Sequence, residues 1–141
     1  MTPTISFLIA GNHADPEGNA IPKAKLTRGQ QWTEKAQSYA AWKLYVAAAF
    51  MNSRPPYAGQ ARRFVAMTGK PIALEPQQEA RMDLKIWWAN EHHPDPENVF
   101  GSIADALFEN DKHLSGSFEA RHDPEKKGRV EVSITIYDNA V

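Results

Sequence analysis

Val130-Glu131-Val132-Ser133-Ile134-Thr135-Ile136-Tyr137 alternates apolar and polar side chains without a break. Only an extended chain sends neighbouring residues to opposite faces, so this stretch is a strand with one face buried. Val130, Val132, Ile134 and Ile136 then need a second layer to cover them. Residues 82–90 repeat the pattern, with Leu84, Ile86 and Trp88 set against Asp83, Lys85 and Trp87. Shorter β-type runs lie at 5–10, closed by Gly11-Asn12, and at 118–122. The turn-rich Asp123-Pro124-Glu125-Lys126-Lys127-Gly128 predicts a hairpin joining 118–122 to 130–137.

Between these runs the period changes from two to three and four. Thr33 is an N-cap candidate with Glu34 in the first turn, and Ala36, Tyr39, Ala40, Leu44, Ala47 and Phe50 recur on one helical face. Ser53-Arg54-Pro55-Pro56 ends that helix. A second helix is predicted over 97–109, with Val99, Phe100, Ile103, Ala104 and Leu107 as its apolar face. Residues 54–80 hold four of the ten prolines and read as a long connection. The order β-α-β-α-β-β in 141 residues predicts a single α+β domain spanning 1–141: a mixed sheet with two main helices packed on it.

The chain has no cysteine, which excludes a disulfide scaffold, a thiol nucleophile and any Cys-based metal site. No apolar run reaches the ~18 residues of a membrane helix, and Met1-Thr2-Pro3-Thr4 lacks the build of a signal peptide. A cytoplasmic protein without membrane contact is expected. The net charge of −1 hides a segregation. Residues 20–70 hold nine bases against Glu34 alone, while residues 71–115 hold nine acids against three bases. Such a division suits phosphates gripped by one part and metal ions held by another, or two halves that simply pair with each other.

The chemistry-bearing residues concentrate between Glu91 and Asp111. Asp95-Pro96-Glu97-Asn98 sets two carboxylates two residues apart at a strand-to-helix corner. Asp105 follows two turns on, and Asp111 lies past the helix end, where the chain must turn back before it can join the pair. Hard divalent ions take oxygen ligands, so converging carboxylates of this kind suit Mg²⁺. The plainer alternative makes Asp95 a helix cap and Glu97 a partner of the helix dipole. Glu91, His92, His93 and His113, with His122, offer a rival transition-metal set such as zinc takes, but His92 and His93 fall in the expected strand and so point to opposite faces. Lys23, Lys25 and Arg28 before the long helix and Arg62-Arg63 after it are unspecific basic elements, interleaved with Trp32, Tyr39, Trp42, Tyr45 and Tyr57.

Pro94-Asp95-Pro96-Glu97-Asn98, Ile103-Ala104-Asp105-Ala106-Leu107, Asn110-Asp111 and a closing β-hairpin ending in Val130-Glu131-Val132-Ser133-Ile134 resemble, in order, the RusA family of Holliday junction resolvases. Gly18-Asn19-Ala20-Ile21-Pro22-Lys23 with Arg28 resembles the basic loop of that family. The resemblance implies a bacterial or phage-encoded, Mg²⁺- or Mn²⁺-dependent endodeoxyribonuclease that cuts four-way junctions as a homodimer. It implies Asp95, Glu97 and Asp111 as metal-binding and catalytic carboxylates, with Lys23, Lys25, Arg28, Arg62, Arg63 and Lys112 on DNA. Two positions depart from the family. Glu97 stands where Asp is usual, and Gly101 stands where a lysine follows one turn after the second acid. Lys112 or Lys85 are the candidates to replace that lysine; otherwise the chain binds branched DNA with little or no cleavage.

Overall fold

The computed structural model describes residues 4–24, 33–53 and 70–138. They form β1 (Thr4–Ala10), α1 (Glu34–Asn52), β2 (Gln78–Trp88), α2 (Pro96–Leu107), β3 (Leu114–His122) and β4 (Arg129–Asp138). The element order is the expected one, and the four strands make one mixed sheet in the order β1-β4-β2-β3.

That order excludes the hairpin expected between 118–122 and 130–137. β4 lies antiparallel between β1 and β2, while β3 runs parallel to β2 on the sheet edge. Burial is the reason. The inward row of β4 meets Ile5, Phe7 and Ile9 on one side and Ala80, Met82, Leu84 and Ile86 on the other. Against β3 it would meet Gly116, Phe118 and Ala120, all exposed. The chain therefore leaves β3, passes the end of β2 and enters the sheet centre. Asp123 N–H donates to the Trp88 carbonyl at 2.9 Å as it passes. Asp123 also bonds Arg129 at 3.1 Å, and Arg129 lies over the Trp87 ring at 4.4 Å. The Lys127 backbone N–H and the Arg129 guanidinium hold the Asp123 carboxyl below its usual range.

Both helices cover one face of the sheet. Thr33 caps α1 by accepting Ala36 N–H at 3.2 Å, as its sequence position predicts. The buried face of α1 runs through Ala36, Tyr39, Trp42, Val46, Ala47 and Phe50. Leu44, expected on that face, is 69% exposed, because the 100° turn per residue carries it to the far side. Trp42 is fully buried, and its indole N–H donates to Ser102 Oγ of α2 at 3.0 Å. Phe50 meets Phe7 of β1 edge-on at 5.7 Å. α2 ends at Leu107 rather than 109, because Glu109 N–H and Leu107 C=O both bond Ile72. No helix among the described residues is long and apolar enough to cross a membrane.

Candidate functional site

α2 starts at a corner built by proline and aspartate. A residue before proline is driven to extended backbone, and Asp95 before Pro96 takes φ −66° and ψ 132°. Pro96 occupies the first turn, where its missing N–H is harmless. Asp95 Oδ1 accepts the Glu97 N–H at 3.0 Å, so this residue is the cap that the plainer sequence reading described. Asp95 and Glu97 are both exposed, and neither carboxylate makes an ion pair among the described residues.

The loop between β1 and α1 is stitched over this corner. Asn19 Oδ1 accepts Ala89 N–H at 2.6 Å, and its amide reaches Asn90 Oδ1 and the His92 carbonyl. Asn12, almost buried, donates to the Asn19 carbonyl at 2.7 Å and holds that turn from behind. Ser102 Oγ donates to the Ile21 carbonyl at 2.6 Å, and Lys23 N–H donates to the Asn98 carbonyl at 2.9 Å. Residues 18–23 are thereby tied both to the corner after β2 and to the first two turns of α2.

His92 and His93 lie in the loop after β2, not in a strand, which corrects the premise that separated them. His93 stacks on Trp88 at 4.3 Å and meets His122 edge-on at 5.4 Å. The parallel pairing that sets Trp88 beside His122 brings these rings together. Sequence spacing held no signal for this contact, since it depends on the β3 position.

The other expected residues separate from the pair. Asp111 lies beyond the opposite end of α2, so at 1.5 Å per residue the twelve-residue helix stands between it and Asp95, about 18 Å. The chain enters β3 instead of turning back, so Asp111 does not join Asp95 and Glu97 within one chain. Lys112 stands beside Asp111 at that far end. Lys85 lies on the sheet face that neither described helix covers, lining a trough of about 740 Å³ and registered between Glu131 and Glu119. Neither lysine approaches Gly101. Lys25, Arg28, Arg62 and Arg63 lie outside the described residues, as do Trp32 and Tyr57.

Asp105 is committed elsewhere. It accepts the Tyr39 hydroxyl at 2.8 Å and Lys70 Nζ at 3.0 Å, with Lys43 Nζ at 3.6 Å. Partial burial would raise its pKa, but the bonds from Tyr39 and Lys70 and the two lysine charges outweigh burial and hold it below the usual range. Tyr39 is pushed upward by its burial and by the same carboxylate. This network joins α1 to α2 and leaves the corner to Asp95 and Glu97.

Among the described residues no group of three or more His, Asp or Glu is disposed around one metal position. Mg²⁺, however, commonly binds through one or two carboxylates while keeping waters and substrate oxygens. Asp95 and Glu97 offer exposed carboxylate oxygens at one helix start, the ligand type that a hard divalent ion takes. No protein-family model matches the chain, and no curated protein matches it.

Proposed function

We propose that this protein is a metal-dependent, structure-selective endodeoxyribonuclease that resolves four-way DNA junctions as a homodimer in recombination and repair. The observation that carries the reading is the exposed Asp95–Glu97 pair at the start of α2, under a loop fastened from two sides. Asp95 and Glu97 would hold Mg²⁺ or Mn²⁺, which supplies Lewis acidity toward a phosphodiester. The Asn19 and Ser102 bonds fix the loop against the corner, so a phosphate docking there meets preformed groups. In a two-fold dimer, two such corners would match the symmetry of paired junction strands.

The test uses a labelled four-way junction and a linear duplex, incubated with Mg²⁺, Mn²⁺ or EDTA and scored for both shift and nicks. Nicking of the junction with metal, its loss in EDTA and its loss in Asp95→Asn are expected. Cleavage that survives in EDTA or in Asp95→Asn removes the assignment. A second reading, a branched-DNA-binding protein without cleavage, is favoured by Gly101, which offers no cation of its own one turn after Glu97. It expects a salt-sensitive shift and no nicks with any metal.

A further inference from the structure

A side chain added at Gly101 would meet Lys23 and nothing nearer: its Cβ would lie 3.5 Å from Lys23 Cδ and 3.7 Å from Lys23 Cβ. The stem of Lys23 thus runs over the helix surface that Gly101 leaves bare, one turn beyond Glu97. We infer that Lys23, delivered from the β1–α1 loop, is the cation that contacts the substrate phosphate beside Asp95 and Glu97, in place of a residue at position 101. This rests on the nuclease reading and names a residue of that same site.

Three observations carry the inference. The Lys23 backbone is anchored, since its N–H bonds the Asn98 carbonyl and Ser102 holds Ile21 two residues earlier. Only the stem beyond Cβ is left to move, and Cδ already lies over Gly101, so the ammonium is two bonds away. Lys23 is exposed and has no ion-pair partner among the described residues, so its charge is not spent within the protein. Gly101 completes the arrangement. A side chain at 101 would start in ordinary contact with the Lys23 stem, so positions 23 and 101 share this stretch of helix surface. Lys85 and Lys112 point elsewhere or stand at the far helix end, which leaves Lys23 as the described lysine packed on this turn.

The full-length protein and its Lys23→Ala, Lys23→Arg and Lys23→Ala/Gly101→Lys variants are compared on the four-way junction. Rates are measured with saturating Mg²⁺, affinities in EDTA across a salt series, and folding by thermal melting. Lys23→Ala is expected to melt like the parent, to cut roughly 10²-fold more slowly and to show a salt slope shallower by about one. Lys23→Arg keeps most of the activity, and adding Gly101→Lys to Lys23→Ala restores cleavage to within about tenfold of the parent. A folded Lys23→Ala that cuts at the parental rate overturns the inference, as does a folded double variant no faster than Lys23→Ala. If the parent itself makes no nicks, the nuclease reading fails. The salt series then decides alone: an unchanged slope in Lys23→Ala overturns the phosphate contact, and a shallower one upholds it.

Discussion

Asn caps a helix about as well as Asp, whereas Ala does not, and that difference separates the two roles open to Asp95. Its Oδ1 accepts Glu97 N–H, which an asparagine oxygen can also do. Asp95→Asn should therefore melt within a degree or two of the parent while losing Mg²⁺-dependent nicking. Asp95→Ala should lose nicking and also about 1 kcal/mol of stability, lowering the melting temperature by about 3 °C. Equal nicking by the parent and Asp95→Asn would reduce this residue to a cap. Asp105 makes a different prediction, because its carboxylate is used internally. Its folded pKa is depressed, so its contribution is fully present above the unfolded pKa and is lost as pH falls through the lower, folded one. Asp105→Asn should be about 2 kcal/mol less stable than the parent near neutral pH. The gap should close on acidification below the ordinary carboxylate range, as followed by melting curves at stepped pH. A gap independent of pH would mean that packing, not charge, joins α1 to α2 at this point.

Two glycines show how far an element's fate depends on what passes over it. Gly116 in β3 faces the Met82 carbonyl so closely that an added Cβ would sit 1.8 Å from the oxygen. Gly116→Ala must open the β2–β3 pairing locally and should cost about 1–3 kcal/mol. Gly101 in α2 has its nearest neighbour at ordinary contact distance, and helix interiors favour alanine. Gly101→Ala should therefore raise stability by up to about 1 kcal/mol, with both effects read as shifts in denaturant midpoint. The elements themselves were legible because their signals are local: alternation for β2 and β4, Thr33 for the start of α1, the Asp95-Pro96 corner for α2. Strand order was not. A turn-rich link next to two β-type runs suggests a hairpin, yet β4 carries an apolar row that needs covered neighbours on both sides. β2 supplies one and β1 the other. Pairing is decided by what each strand can bury across the sheet, and nothing within 123–128 encodes that.

At the scale of the whole molecule, part of the segregated charge of the sequence is paired across the fold among the described residues: Lys43 and Lys70 of the basic segment meet Asp105 of the acidic one. The acidic pair was legible from its spacing and its prolines. The resemblance marks Asn19 and Lys23 as parts of a basic loop, but not that they and His122 reach this corner, because they come from elements far away in sequence. Asp111 failed to join the pair for the opposite reason: closeness in sequence across a helix becomes distance in space. The inferred placing of Lys23 beside Asp95 and Glu97 has a consequence for binding without catalysis. Before a divalent ion is present, a docking phosphate meets one attractive charge and two repulsive ones within about a Debye length. Removing one repulsive charge at contact range in a solvated site is worth about 1 kcal/mol, or roughly fivefold in affinity. Asp95→Asn should thus bind a four-way junction about fivefold more tightly than the parent in EDTA. Ca²⁺, a hard ion that the same carboxylates accept, should tighten the parent and affect Asp95→Asn much less. Titrations in EDTA and in Ca²⁺, at one fixed ionic strength, measure both effects. Unchanged binding by Asp95→Asn in EDTA would mean that its carboxylate faces away from the DNA, and the metal-bridged corner would have to be abandoned even if the protein binds junctions through its basic segment.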